Sequence, residues 1–364
     1  MIYYVSAAAL RPGDGSEARL FQTIQEAADI AQSGDEILVA PGVYREHVNP
    51  VCGGGDADHH HCTRGLWLDW QAQGTRVTGN LFHDNVPPVG TEIGDGMGED
   101  LFVEVSHGPT LMDHNLFLSP CACHLSTQGL AFVHNLIAGS FTFVGIGTDN
   151  GTKRFPSPRY TPYHVPHSTA LAGFMTILHG DARFYNNLFV QKPIREDLAA
   201  YAKDTGWAGL DKLHFRCGTK PYDGYPTAAQ YFGRFTAESA VDGEIRDMYY
   251  DHLPVWSGGN AYFNGAQPWD GERDAGVDTT HAVMLELAAE GDRWTLRTNL
   301  YEVLPARQLP VITTEFLGEA FEPEQGFTQP DGAPIVFDRD YFGSCHGESP
   351  LCGPFAEGAV EFRL

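Results

Sequence analysis

Residues 65–85 read GLWLDWQAQGTRVTGNLFHDN, and residues 100–105, beyond a Gly/Pro-rich insert, read DLFVEV. Leu66, Leu68 and Trp70 alternate with Trp67 and Asp69, and Leu101, Val103 and Val105 alternate with Phe102 and Glu104. Alternation with period 2 is the signature of a strand with one buried face. Each segment is followed at the same distance by Asn-Leu-Phe, at Asn80 and at Asn115. The motif returns as Asn135-Leu136-Ile137 and Asn187-Leu188-Phe189, with a weaker echo at Asn260-Ala261-Tyr262-Phe263. Asn115 and Asn135 lie 20 residues apart, close to one solenoid turn, and the longer gaps are a turn plus an insertion. The spacing predicts an all-β fold, a solenoid of parallel strands, in which the Asn side chains form a ladder that satisfies turn amides.

The anchors also predict a register. Counting back 11 residues takes Asn80 to Asp69, Asn115 to Glu104 and Asn135 to His124. Leu68, Val103 and Cys123 then fall together, as do Trp70, Val105 and Leu125. The apolar neighbours face inward, and Asp69, Glu104 and His124 face outward, one above another. Stacked strands lie about 4.7–4.9 Å apart, so the two carboxyl groups are expected roughly 5 Å from each other. Like charges so close repel and raise one pKa, which disfavours a chance pair. Retaining glycosidases hold two carboxyl groups about 5–5.5 Å apart, whereas inverting enzymes need about 6.5–9.5 Å. Asp69 and Glu104 are therefore the candidate catalytic pair.

Candidate substrate contacts surround that pair. Trp67 borders it, and Gln71, Gln73, Arg76 and His107 follow the two strands. His124 shares the ladder, and His164 and His167 lie in an insertion expected to form a groove wall. Each could instead be a solvated side chain or satisfy backbone groups of a turn.

Composition narrows the class. Net charge is −24 with 23 Lys+Arg, so nothing is available to neutralise phosphates, and neither a nucleic acid nor an anionic membrane is an expected partner. A neutral sugar suits this balance, and a homo-oligomer is compatible with it. Gly 41 and Pro 23 point to many turns rather than long helices. No run approaches the ~18 apolar residues of a membrane span, and no charged-then-apolar leader precedes IYYVS, so a cytoplasmic location is expected. The 7 cysteines lack the regular spacing of a disulfide framework. Cys121 and Cys123 fall on core-facing positions, and Cys345 and Cys352 could meet in a tail disulfide only outside a reducing compartment. The run Asp56, Asp58, His59, His60, His61, Cys62 reads as a solvated junction loop. Consecutive histidines point to alternate sides of an extended chain, and no second cluster follows at ligand spacing.

Along the chain, residues 1–50 form a strand-helix cap and first coil. Residues 2–6 are expected as a strand, Phe21 to Ala31 as a short amphipathic helix, and Glu36 to Ala40 as a buried strand. Residues 51–64 are an irregular junction, and 65–364 are the core. Insertions are expected near 86–99, 148–168 and 192–253, where turns build walls around a groove, before a C-terminal wrapping tail. All of this is expected to form one structural domain.

The opening FQTIQEAADIAQSGDEILVAPGVYRE resembles the N-terminal cap of right-handed parallel β-helix proteins of carbohydrate metabolism, which covers the open end of the stack. RGLWLDWQAQGTRVTGNLFHDN, DLFVEVSHGP, DHNLFLS, TPYHVPHST and WSGGNAYFNGAQP resemble the catalytic core of the glycoside hydrolase family 120 β-xylosidases. The resemblance implies a right-handed parallel β-helix and a retaining enzyme that releases xylose from short xylo-oligosaccharides, with Asp69 as nucleophile, Glu104 as acid/base, and no metal or cofactor. Members of that family carry a β-sandwich domain and further coils between cap and core. Here Pro50 meets Val51 and the core begins by Thr63, so that region is largely missing. A different exo-glycosidase, a polysaccharide lyase and an inactive carbohydrate-binding remnant are the alternatives. The low Lys/Arg count speaks against the lyase, which needs a basic residue to take a proton.

Overall fold

The computed structural model describes residues 1–31, 35–40, 65–86, 98–142, 159–193, 195–198, 200, 216–242, 251–290, 293–347 and 349–364. The junction 51–64, with the Asp56 to Cys62 run, lies outside them, as do most of the 86–99 insertion and parts of the two longer ones.

At the N-terminus, β1 (Ile2–Val5) pairs in parallel with β2 (Glu36–Val39) across the helix α1 (Ile24–Ala28). The helix starts later than its apolar spacing predicts. Phe21 is held extended, its N–H donating to the Tyr4 carbonyl and its own carbonyl accepting from Ser6 N. Thr23 then caps the helix: its hydroxyl accepts from Glu26 N at 3.2 Å, while Glu26 Oε2 accepts from Thr23 N at 2.9 Å. That reciprocal pair satisfies two of the amides a helix start leaves over.

The core begins with β3 (Leu66–Leu68), β4 (Thr75–Thr78) and β5 (Leu81–Phe82), each joining a different sheet. The next turns repeat the order: β6 (Glu99–Glu104), β7 (Thr110–Asp113), β8 (Leu116–Phe117), then β9 (Cys121–Ser126), β10 (Gln128–Val133), β11 (Leu136–Ile137). β12 (Ser140–Thr142) extends the first sheet, to give the order β12-β9-β6-β3. An antiparallel hairpin, β13 (Tyr160–His164) and β14 (Leu171–Thr176), interrupts the series. β15 (Gly180–Tyr185) and β17 (Val255–Gly258) extend the second sheet, and β16 (Leu188–Val190), β18 (Ala261–Phe263) and β19 (Gly276–Val277) the third. Every pairing within these three sheets is parallel, so the fold is all-β with a few short helices. The tail ends in an antiparallel sheet of Leu285–Glu290, Arg293–Thr298 and Glu361–Arg363.

Inside the stack, like side chains meet like. Phe82 stacks on Phe117 at 5.1 Å, Phe132 on Phe184 at 5.5 Å and Phe189 on Tyr262 at 4.9 Å. Each fully buried ring is worth about 1.5–3 kcal/mol of transfer free energy. The Asn anchors run alongside as one ladder. Asn80 N donates to Asn115 Oδ1 at 3.0 Å, Asn115 N to Asn135 Oδ1 at 2.9 Å, Asn135 N to Asn187 Oδ1 at 2.9 Å, and Asn187 N to Asn260 Oδ1 at 2.9 Å. Where coils touch backbone to backbone, only glycine fits: a Cβ on Gly129, at φ +70°, would lie 2.1 Å from the His107 carbonyl oxygen.

One buried carboxyl group makes stability depend on pH. Asp100 accepts from Asn85 Nδ2 at 2.9 Å and from Ser119 N at 3.0 Å, yet burial pushes its pKa up to about 6. A folded pKa above the unfolded value favours the neutral form, so its contribution is complete below about pH 4 and is lost as pH rises through about 6. Relative to Asp100→Asn, wild type should therefore lose on the order of 2–3 kcal/mol between pH 4 and pH 7. Urea unfolding of both proteins at the two pH values checks this; a pH-independent difference would contradict it.

Candidate active site

The first sheet builds the site. Leu66 pairs with Leu101, Trp67 with Phe102 and Leu68 with Val103. Leu68, Leu101 and Val103 are buried in the core, so alternate residues point outward. The register continues past β3, because Gln71 N donates to the Val105 carbonyl at 3.4 Å. Asp69 thus stands on the rung beside Glu104, on the outer face, at the neighbouring-strand spacing of about 4.8 Å. Asp69 is half-buried, and its Oδ1 accepts from Trp70 N at 2.8 Å. Trp70 and Gln71 then take positive φ, 22° and 63°, where the strand turns the corner.

His124 does not share that rung. β9 pairs Phe102 with His124 and Glu104 with Ser126, two residues away from the register expected from Asn135. The cause is the corner. It runs from Glu104 to Thr110 on one coil but from Ser126 to Leu130 on the next, two residues shorter. His124 instead extends an aromatic stack, Trp67 on Phe102 at 5.1 Å and Phe102 on His124 at 3.9 Å. Its Nε2 lies 2.8 Å from Ser126 Oγ, so His124 reaches the Glu104 rung through a serine. Cys123 pairs with Leu101 rather than Val103, and still faces the core.

The hairpin β13–β14 is secured against this face by residues expected to touch sugar. Gln73 clasps the His164 backbone in both directions, donating to its carbonyl at 2.9 Å and accepting from its N–H at 2.8 Å. His107 Nε2 lies 3.1 Å from the Thr161 carbonyl and 3.2 Å from that of Met175, and Gln128 Nε2 donates to its Nδ1 at 3.1 Å. Burial pushes the His107 pKa down to about 4, so a neutral ring with Nε2–H bridges the two hairpin strands. At the exposed tip, His167 Nε2 meets Thr328 Oγ1 at 3.3 Å. Arg76 belongs to the second sheet and is committed to Asp113, with Nε and Nη2 at 2.7 and 2.9 Å from its two oxygens. Gln71 is placed by its backbone at the corner below Trp70.

The hairpin also brings in a residue the sequence did not single out. Arg159, just ahead of β13, forms an ion pair with Glu104. Arg159 lies in an insertion without repeat register, so no spacing argument reaches it. The expectation that His164 and His167, in the same insertion, line a groove wall was the one available signal.

Cys345 and Cys352 are free thiols, as are Cys121, Cys123 and Cys217.

Fold and site together define an all-β protein of stacked parallel sheets with a carboxylate pair on an outer face, flanked by aromatic rings and an arginine. A solved structure described as the complex structure of XylC with xylose is similar to it. The TM-score is 0.62 at 32% identity, over 83% of this chain and 41% of that one. The chain thus spans less than half the length of XylC. The sequence matches no family model and no curated protein.

Proposed function

We propose that this chain is a retaining glycoside hydrolase that releases xylose from the non-reducing end of β-xylosides and short xylo-oligosaccharides. The observation that carries the reading is the placement of Asp69 one rung from Glu104 on an outward face. Strand spacing there matches the roughly 5–5.5 Å of a nucleophile and acid/base pair, and is too short for the water an inverting pair must admit. Asp69 attacks the anomeric carbon as Glu104 gives its proton to the leaving oxygen, so the C–O bond breaks as the xylosyl ester forms. Glu104, now a carboxylate, takes a proton from water, which attacks the same carbon and releases Asp69. Arg159 is ion-paired with Glu104, and a guanidinium so held is not the free base a lyase needs, which disfavours the lyase reading.

Similarity to XylC, whose structure holds xylose, supports a pentose as the sugar. We further read the three sheets as the faces of a right-handed parallel β-helix, residues 65–364 as one structural domain, the location as cytoplasmic, and the partner as a small neutral oligosaccharide. The test is hydrolysis of an aryl β-xyloside by the purified chain, beside the matching glucoside and arabinoside. Preferred turnover of the xyloside is expected. Binding of xylose or xylobiose without turnover of any glycoside would reduce the chain to a sugar-binding protein.

A further inference from the structure

Three histidines meet where the second sheet turns into the third, under the C-terminal tail. His114 and His134 follow β7 and β10 on adjacent rungs, since Asp113 pairs with Val133. Their rings stack at 5.3 Å with planes 6° apart. His346 arrives from the tail and stacks on His134 at 4.9 Å. The residues are 6%, 0% and 8% exposed. One ligand atom from each lies within 4.8 Å of the others.

Their hydrogen bonds bear on which ring nitrogens donate and which are left as acceptors. His114 Nδ1 lies 3.0 Å from Asp113 Oδ2. Both oxygens of Asp113 already accept from Arg76, from Nε at 2.7 Å and Nη2 at 2.9 Å, so Asp113 faces His114 as an acceptor. His114 therefore donates from Nδ1, which leaves Nε2 as an acceptor, and this atom is buried with no hydrogen-bond partner among the described residues. His134 Nδ1 faces the Gly353 carbonyl at 3.2 Å and must donate as well, leaving Nε2 with only a long 3.3 Å contact to the Asn186 amide. Among the described residues, neither ring nitrogen of His346 has a hydrogen-bond partner of ordinary geometry. Buried acceptors left unmet are costly, and a cation taking the His114 and His346 lone pairs removes that cost, while the His134 lone pair exchanges its Asn186 contact for the metal. Imidazoles whose far N–H is fixed by a carboxylate or a backbone carbonyl are the usual arrangement around a bound metal.

We propose that His114, His134 and His346 form a binding site for a divalent transition cation of the zinc class, which pins the tail to the stacked coils. Nitrogen-only ligation selects Zn²⁺, Co²⁺ or Ni²⁺ over Ca²⁺ and Mg²⁺, which require oxygen ligands. In a tetrahedral zinc site the nitrogens stand about 3.4 Å apart with each lone pair in its ring plane, so loading turns the rings out of their near-parallel stack as well as drawing them together. The site is separate from the Asp69–Glu104 pair and independent of the glycosidase reading.

The test uses the whole chain, with any affinity tag removed and after chelator treatment. It is titrated with Co²⁺ and then Zn²⁺, with visible absorption and competition against a chromophoric chelator as readouts. One equivalent of Co²⁺ with visible ligand-field bands, displaced by Zn²⁺, is expected, together with a Zn²⁺-dependent rise in Tm. His346→Ala should lose the bands and the Tm response, whereas the joint variant His59→Ala, His60→Ala, His61→Ala should keep both. A wild type that binds no Co²⁺ would mean a dry stack of neutral rings and overturn the proposal. So would binding that survives His346→Ala but vanishes in the joint variant. Should His346→Ala fail to fold, the wild-type titration and the joint variant still decide.

Discussion

Asp69→Ala is expected to release no aryl leaving group from a β-xyloside above the uncatalysed background, while keeping the wild-type fold. Without the carboxylate there is no atom within reach of the anomeric carbon to form the xylosyl ester, whatever Glu104 does. Glu104→Ala should fail differently. A good aryl leaving group needs no protonation, so the first step survives, and the second slows by roughly 10²–10⁴-fold because no base activates water. Stopped-flow traces should then show a burst followed by slow turnover. Azide separates the roles further. In Glu104→Ala it replaces water on the xylosyl-enzyme and gives the β-azide, and in Asp69→Ala it occupies the vacated space and gives the α-azide. Exchanged products, or comparable activity in Asp69→Ala, would contradict the assignment.

The largest expected loss of stability is at Asn135. Its Oδ1 accepts from Asn115 N at 2.9 Å and Asn115 Nδ2 at 3.1 Å, and its Nδ2 donates to the Met112 carbonyl and to Asn187 Oδ1, both at 2.9 Å. Asn135→Ala strips partners from groups on both neighbouring coils at once, in a site with no exposure. At ~1–3 kcal/mol for each buried group left unpaired, the total is about 3–6 kcal/mol. That is a large share of the ~5–15 kcal/mol that holds a domain together. Asn80 ends the ladder at an exposed position, so Asn80→Ala should cost only about 1 kcal/mol. Denaturant unfolding of the two variants checks the contrast; equal losses would mean that the ladder does not act as a chain.

Why one rung was legible in the sequence and the next was not has a simple physical cause. Register read from a downstream anchor is right only where the intervening corner keeps its length. From Leu68 to Thr75 and from Val103 to Thr110 the corners match, so Asn80 and Asn115 place Asp69 beside Glu104 correctly. From Ser126 to Leu130 the corner is shorter, and His124 moves to the Phe102 rung. Substrate contacts were least legible. Gln73, Arg76 and His107 are polar and follow the site strands in sequence, but partners up to 253 positions away claim them. Arg159 and His346 lie outside any repeat, and their positions depend on how the hairpin and the tail pack. Phe21 has helical spacing to Ile24 and Ala28, yet backbone pairing with the first strand holds it extended.

The most direct measurement of the central claim is the anomeric configuration of the first xylose released, followed by proton NMR before mutarotation. Two carboxylates one strand spacing apart predict that a β-xyloside gives β-xylose first, with the α anomer appearing only as the sugar equilibrates. If α-xylose forms first, the reaction inverts. Asp69 and Glu104 would then not act as the neighbouring nucleophile and acid/base described here.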